Sequence, residues 1–84
     1  MILGVGSVAD RSVPELIEYA IAAENRGFGS IWLADHYCFR ELFVCMTAVG
    51  MSTERLVIAS GAANPYTRHP AVYAMSLATL REVI

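Results

Sequence analysis

The chain has 84 residues, enough for one small domain or for part of a larger one, with 56% hydrophobic and 17% charged residues. Its net charge of -2 is spread along the sequence without a basic run, which argues against a nucleic-acid partner. The apolar stretches are too short for a membrane span, and the first residues do not form a signal peptide. We therefore expect a soluble, cytoplasmic protein with no membrane partner.

The first predicted unit is a short strand, residues 2–6, followed by an amphipathic helix. Ser12 and Glu15 have the Ser-x-x-Glu spacing of a capping box, so the helix is predicted to begin at position 13 or 14. Apolar side chains then recur with a helical period. Gly27 is expected to end this helix in a left-handed conformation.

Two further strand-helix units follow. Residues 30–34 are β-branched and aromatic without alternation, which predicts a strand covered on both faces. The next helix, from position 40 or 41 to 51, is apolar nearly all the way round, so one of its faces is expected to meet another element, such as a second subunit. Residues 56–60 are predicted to form the third strand. A third helix should begin at Pro70 and reach the last residue.

Three successive strand-helix units predict an α/β fold with a parallel sheet and right-handed crossovers. They fit the first three units of a (β/α)8 barrel, or half of a doubly wound sheet, and periodicity does not separate the two. Residues 4–9 also match the Gly-x-Gly-x-x-Gly/Ala dinucleotide-binding pattern, with Asp35 as a ribose ligand. That motif needs a helix starting at its second glycine, whereas Ser12 places the start later, so we favour a chance match.

Short polar segments follow the second and third strands, where α/β proteins place ligand-binding loops. The first begins with Asp35 and His36. An imidazole titrates near neutral pH, so His36 could relay a proton or donate a hydrogen bond to a cofactor. In the alternative interpretation, Asp35 caps a turn and His36 only packs against its neighbours. The residues alone leave both interpretations open.

The second polar segment, residues 61–70, begins with a glycine and two alanines. This low side-chain bulk would let a flat group approach the backbone closely. For Arg68 and His69 we favour an ordinary turn, in which Arg68 faces solvent and His69 caps the next helix. Cys38 and Cys45 are seven residues apart in no metal-ligand pattern, and we interpret them as small buried side chains in a reducing compartment.

The residues of both segments resemble those of the luciferase-like monooxygenase family. In residues 27–37, a Gly-Phe pair leads to a hydrophobic strand that ends in Asp35-His36, as in the second strand of that family. Residues 61–70, which contain Asn-Pro-Tyr-Thr-Arg-His-Pro, are similar to the third-strand loop in the branch that uses the deazaflavin coenzyme F420. Within that branch, the chain resembles most the methylenetetrahydromethanopterin reductases and related oxidoreductases.

The resemblance implies a (β/α)8 TIM barrel whose cofactor ring lies at the carboxyl ends of the strands. It implies His36 as the catalytic residue and a non-proline cis peptide bond at Gly61-Ala62. It also implies a set of cofactor-binding residues: Asp35, His36, Gly61, Ala62, Ala63 and Asn64. The deazaflavin is the favoured cofactor, although the ring-facing elements are similar in the branch that uses FMN. Relatives often have Val-Thr where this chain has Ala62-Ala63. Because Ala63 has no hydroxyl group, this chain lacks one possible contact to the cofactor.

A complete barrel of this kind needs about 250 residues. We therefore expect residues 1–84 to be the amino-terminal fragment of a luciferase-like domain, part of an oxidoreductase that transfers a hydride between the reduced deazaflavin and a small carbon substrate. The alternative is a truncated, catalytically inactive module that self-associates through its apolar helices and open sheet edge. Both hypotheses predict a homo-oligomer, because early helices of the family contribute to its dimer interface.

Overall fold

The computed structural model describes residues 3–7, 11–35, 40–64 and 66–84. Strands and helices alternate as β1 (Gly4–Ser7), α1 (Val13–Asn25), β2 (Ser30–Leu33), α2 (Leu42–Ser52), β3 (Val57–Ser60) and α3 (Pro70–Val83). The three strands form one parallel sheet in the order β1-β2-β3. Each strand end lies within about two residues of its predicted position. The remaining differences arise because a strand stops where its hydrogen-bonded partners end, not where the apolar run ends.

The predicted start and end of α1 are confirmed. The Glu15 N–H donates to Ser12 Oγ at 3.3 Å, and the Ser12 N–H donates to Glu15 Oε1 at 3.3 Å, which completes the capping box. At the other end Gly27 has a φ of 91°, and the Phe28 N–H donates to the Ala23 carbonyl at 3.1 Å. A left-handed glycine of this kind satisfies the last helical carbonyls and turns the chain toward β2.

The glycine pattern near the amino terminus does not form a dinucleotide-binding turn. Gly4 and Gly6 both lie within β1, and α1 begins only at Val13, after its Ser12 cap. The helix therefore does not start at the second glycine, as a dinucleotide-binding turn requires, which agrees with the interpretation of the pattern as a chance match.

All three helices cover the same face of the sheet. Their buried side chains join those of β2 in one cluster, which includes Leu16 of α1, Ile31 of β2, Val49 of α2 and Leu80 of α3. Helix α2 packs against both α1 and α3. In a doubly wound sheet the helix after the third strand crosses to the opposite face, so this arrangement is the one found in a barrel wall.

Within the described chain helices cover only one face of β2, so the prediction that both faces are covered does not hold there. Ile31 and Leu33 are buried against the helices, but Trp32, between them, points to the other face and is 49% exposed. Val57 of β3, in register with Ser30, is also exposed. In the described chain the helices lie on one side only, and the side chains of alternate residues therefore remain uncovered on the other.

The apolar character of α2 is explained by packing within the chain. This helix contacts α1, α3, β2 and β3, and five of its residues are buried. Its exposed large hydrophobic side chains are Val44 and Met51. Cys45 is buried and not disulfide-bonded, as predicted, while Cys38 lies outside the described residues.

No helix in the described part of the chain is long and apolar enough to cross a membrane.

Candidate functional site

The polar segments after β2 and β3 meet at the carboxyl end of the sheet. The Asn64 N–H donates to Asp35 Oδ2 at 2.9 Å, and the Gly61 N–H donates to the Leu33 carbonyl at 2.8 Å. Asp35 comes two residues after the end of β2, and Asn64 four residues after the end of β3. Parallel pairing of the two strands thus places two of the predicted cofactor-binding residues in direct contact.

The Asp35 carboxylate is the centre of this contact. Besides the hydrogen bond from the Asn64 amide, its Oδ2 accepts one from Arg68 Nη1 at 2.7 Å, and the Tyr73 hydroxyl oxygen lies 3.3 Å away. Burial alone would raise the pKa of Asp35, but the hydrogen bonds from Asn64 and Arg68 outweigh it and leave the pKa below its ordinary value. Asp35 is therefore ionised at neutral pH and acts as an acceptor.

Arg68 does not face solvent, and that prediction is wrong. Its side chain is 17% exposed, and its Nη2 lies 2.7 Å from Glu41 Oε1 while its Nη1 contacts Asp35. The guanidinium also lies over the rings of Phe43 and Tyr73, at 5.1 Å and 5.4 Å from their centroids. Two carboxylates and two aromatic faces compensate the charge, which is why this cation is held inside the turn.

The two histidines differ in what the structure shows. The prediction for His69 is confirmed, because its Nδ1 accepts a hydrogen bond from the Ala71 N–H at 3.0 Å and caps α3. His36 lies outside the described residues, as do Tyr37 and Cys38. The segment that carries His36 is bounded by Asp35 on one side and Arg40 on the other.

The backbone after β3 offers a surface with little side-chain bulk. The peptide bond between Gly61 and Ala62 is cis, as the resemblance implied, and both residues are exposed. Ala63 packs against the core. A Cβ atom on Gly61 would lie 3.3 Å from atoms of the Trp32 side chain, so the indole already fills the space beneath this glycine. The exposed side of Gly61 and Ala62 therefore presents backbone with little side-chain bulk.

Two residues of the site were missed by sequence reasoning. Tyr73 donates its hydroxyl hydrogen to the Asn64 carbonyl, lies within hydrogen-bond distance of Asp35, and packs edge-on against Phe43. Glu41 is the N-cap of α2 as well as a partner of Arg68. The available signal was positional: Tyr73 lies one helical turn after the His69 cap, and Glu41 precedes the apolar helix, where an acidic cap is favoured.

Comparison with known proteins agrees with this geometry. The family model described as luciferase-like monooxygenase matches residues 3–84. A 5,10-methylenetetrahydromethanopterin reductase of Methanolobus tindarius is 35% identical over 99% of this chain, and one of Archaeoglobus fulgidus is 32% identical over 99%. An F420-dependent glucose-6-phosphate dehydrogenase of Mycolicibacterium fortuitum is 36% identical over 93%. The chain spans about a quarter of the length of these relatives, between 25% and 26%.

Among solved structures, the coenzyme F420-dependent tetrahydromethanopterin reductase of Methanopyrus kandleri is similar, with a TM-score of 0.89 and 30% identity. The similarity covers 94% of this chain and 23% of the reductase. The expected fold class is confirmed, because the three strand-helix units match the amino-terminal part of the TIM barrel in that reductase.

Proposed function

This chain belongs to the luciferase-like monooxygenase family, and from that premise we propose that it forms one wall of the coenzyme site in an oxidoreductase. The reaction is hydride transfer between the reduced deazaflavin coenzyme F420 and a small carbon substrate. The names of the similar reductases and dehydrogenases, two of which specify this coenzyme, support the proposal.

Residues 1–84 are proposed as the amino-terminal part of a longer (β/α)8 enzyme. The chain matches only 23% of the similar reductase, whose fold it shares. The sheet face that carries Trp32 and Val57 is exposed in the described chain, and in a closed barrel the same face points inward. Experiments on function therefore use the full-length protein.

The observation that carries the proposal is the hydrogen bond from the Asn64 amide to Asp35, at 2.9 Å, beside the exposed Gly61 and Ala62. It fixes the ends of two neighbouring strands at the edge where barrel enzymes bind their cofactors. In this site the backbone of residues 61–63 would support one face of the deazaflavin ring. Asp35 and Asn64 would border the ring and hold its supporting loop, and the coenzyme supplies the hydride when bound.

His36 is proposed as the catalytic residue. Asp35 is ionised and its Oδ2 already accepts hydrogen bonds from the Asn64 amide and the Arg68 guanidinium, so it is poorly suited to give or take a proton. An imidazole, unlike an ionised carboxylate, can both accept and donate a proton, so His36 is proposed to relay a proton or donate a hydrogen bond beside the reacting carbon.

Coenzyme binding tests the proposal directly. The full-length protein is titrated with the oxidised and the reduced deazaflavin while its absorbance is followed, and a parallel titration uses FMN. We expect a saturable change with the deazaflavin and a much weaker one with FMN. The inactive-module alternative predicts no saturable change with either, and preferential binding of FMN would place the protein in the other branch of the family.

Turnover tests the role of His36. The first substrate to try is methylenetetrahydromethanopterin, since the 35% identity to the reductase extends over 99% of the chain. His36→Ala should lower kcat by ~100-fold or more, the usual contribution of a positioned acid or base. His69→Asn is the matched control, because asparagine also caps helices well. Turnover of His36→Ala equal to that of the unmodified enzyme at every pH would remove His36 from the mechanism.

Self-association and a cytoplasmic location complete the proposal. Val44 and Met51 of α2 and Met75 of α3 are exposed apolar side chains that a second subunit could cover. The buried thiol of Cys45 suits a reducing compartment. Analytical ultracentrifugation of the full-length protein should show a homo-oligomer, and a monomer at micromolar concentration would contradict it.

A further inference from the structure

Side chains from other parts of the fold hold both polar groups of the Asn64 main chain. Its N–H donates to Asp35 Oδ2 at 2.9 Å, and its carbonyl accepts from the Tyr73 hydroxyl. Asp35 follows β2, whereas Tyr73 lies near the start of α3. Two neighbouring strand-helix units therefore fix the backbone at the end of residues 61–64.

The other end of residues 61–64 is also fixed. The Gly61 N–H donates to the Leu33 carbonyl at 2.8 Å, which continues the pairing of β2 with β3. Ala63 packs against the core, while Gly61 and Ala62 are exposed. Exposed backbone is the part of a fold that opens most easily, so these attachments decide whether this surface keeps one shape.

The Tyr73 hydroxyl is itself oriented by a hydrogen bond. Its oxygen lies 3.2 Å from Arg68 Nη1, and the same Nη1 lies 2.7 Å from Asp35 Oδ2. Because a hydroxyl has one hydrogen, a donor at Arg68 leaves that hydrogen for the Asn64 carbonyl. A closed hydrogen-bond network therefore links four residues: Asp35, Asn64, Arg68 and Tyr73. Arg68 also bridges Asp35 to Glu41, the N-cap of α2.

Packing holds the ring of Tyr73 in place. Its edge lies against Phe43 of α2, with ring centroids 5.6 Å apart and ring planes at 64°. The Arg68 guanidinium lies over the Tyr73 ring, 5.4 Å from its centroid. Helices α2 and α3 pack against each other, so the tyrosine links the helix layer to the Asn64 carbonyl.

We propose that Tyr73 is a positioning residue for the coenzyme: its hydroxyl holds the Asn64 carbonyl and so keeps residues 61–64 in the shape against which the deazaflavin ring binds. The proposal rests on the coenzyme site proposed above. Tyr73 does not contact the coenzyme in this role and acts through Asn64. A segment that is already ordered takes less of the binding free energy than one that the coenzyme must order.

Three substitutions separate positioning from general stability. Tyr73→Phe removes the hydroxyl and keeps the packed ring. Tyr19→Phe is the matched control, because the Tyr19 hydroxyl also donates to a backbone carbonyl, that of Gly6 at 3.0 Å, outside this network. Thr67→Val is the second variant, since Thr67 Oγ1 also donates to the Asn64 carbonyl, at 3.1 Å. Thr67 is exposed, so this variant should fold.

The coenzyme affinity of the full-length protein gives the first measurement. Tyr73→Phe should weaken binding of the oxidised deazaflavin ~5- to 30-fold, the range that corresponds to one partly buried hydrogen bond. Thr67→Val should weaken it ~2- to 5-fold, because its hydrogen bond is exposed. Tyr19→Phe should leave the affinity within about twofold.

Turnover at saturating coenzyme separates positioning from chemistry. The kcat of Tyr73→Phe should stay within about threefold of that of the unmodified enzyme, because the bound coenzyme orders the segment again. Unchanged affinity in Tyr73→Phe, or a large loss of kcat with unchanged affinity, would overturn the proposal. If Tyr73→Phe does not fold, unchanged affinity in Thr67→Val overturns it instead.

Amide hydrogen exchange gives a measurement that needs no coenzyme. In Tyr73→Phe, peptides that cover residues 61–67 should exchange faster, while peptides from α1 exchange as before. Tyr19→Phe should leave exchange in residues 61–67 unchanged. No increase there in Tyr73→Phe, or an equal increase in α1, would overturn the proposal.

Failure of the coenzyme site and failure of the positioning role give different results. An unmodified protein that binds no deazaflavin refutes the proposed site, and the role of Tyr73 with it. An unmodified protein that binds the deazaflavin no more tightly than Tyr73→Phe refutes the positioning role alone.

Discussion

Arg68 Nη1 lies 2.7 Å from Asp35 Oδ2, and this ion pair joins two residues that are 33 positions apart in the chain. The aspartate follows β2 and the arginine precedes α3, so the pair connects the loops of two neighbouring strand-helix units. Both side chains are largely shielded, with exposed fractions of 7% for Asp35 and 17% for Arg68. At such burial an ion pair affects stability as well as geometry.

The substitution Asp35→Asn should destabilise the folded protein by about 2 kcal/mol, since it removes the charged acceptor of a shielded arginine that retains only Glu41. Chemical denaturation of the purified protein measures the change. Glu54→Gln, which breaks the exposed Arg55–Glu54 pair, is the control and should change stability by less than about 0.5 kcal/mol. Equal effects of the two substitutions would contradict the importance of burial.

Glu24 should be more important to stability than its position on a helix surface suggests. Its Oε2 accepts hydrogen bonds from three successive backbone amides, those of Glu54, Arg55 and Leu56, at 3.0, 2.7 and 3.0 Å. Glu24→Gln weakens all three, so we expect a lower denaturation midpoint. Glu18→Gln, at an exposed position of the same helix, should leave the midpoint unchanged, and equal midpoints for both variants would refute the prediction.

Acid should destabilise the folded protein by protonating the carboxylates of Glu24 and Asp35. Hydrogen bonding, chiefly from the Arg55 amide, holds the pKa of Glu24 below its ordinary value of 4.5. Burial opposes a lowered pKa at Asp35, but the hydrogen bonds from Asn64 and Arg68 outweigh it and hold the pKa of Asp35 below its ordinary value of 3.8. A lowered folded-state pKa gives stability that is present above the ordinary value and is lost as the pH falls through the folded value. The free energy of unfolding should therefore decline below about pH 4.5. The decline should be shallower in Glu24→Gln and Asp35→Asn, and identical slopes in all three proteins would count against this assignment.

The two glycines of β1 should respond in opposite ways to alanine. A Cβ on Gly4 would lie 2.5 Å from Ser30 Oγ and 2.9 Å from Trp32 Nε1, two atoms that are hydrogen-bonded to each other at 3.1 Å. Gly4→Ala should therefore displace the indole and cost about 1–3 kcal/mol. Among the residues that the structure describes, a Cβ on Gly6 would meet only the Trp32 carbonyl oxygen, at 3.9 Å. Gly6→Ala should be neutral or slightly stabilising, because alanine reduces the entropy of the unfolded chain.

Unfolding midpoints and the near-ultraviolet circular dichroism of the indole measure both substitutions. A Gly4→Ala protein with an unchanged indole signal and an unchanged midpoint would show that Ser30 and Trp32 move aside at little cost.

Local features of this fold could be predicted from the sequence because they depend on neighbouring residues. The capping box of Ser12 and Glu15 and the left-handed Gly27 act over three or four positions, and the structure contains both. The cis bond at Gly61-Ala62 was implied by a motif shared with a family rather than by local physics.

What could not be predicted depends on contacts between distant parts of the chain. From the sequence, Arg68 is predicted to be a solvent-facing turn residue. In the fold the carboxyl ends of β2 and β3 are adjacent, and this brings Asp35 and Glu41 into contact with Arg68. The exposure of Trp32 has a similar origin, since the number of faces that helices cover is a property of the whole sheet. His36 lies outside the described residues, and its role stays a prediction.

The bridge of Arg68 has a consequence for engineering this scaffold. The loops after β2 and β3 are separate in sequence, which invites the exchange of either one alone to alter substrate choice. A single side chain of the second loop, Arg68, binds residues on both sides of the first loop. If only one of the two loops were replaced, Asp35 and Glu41 would lose the cation that they share. Residues 35–41 and 61–73 should be moved as one cassette.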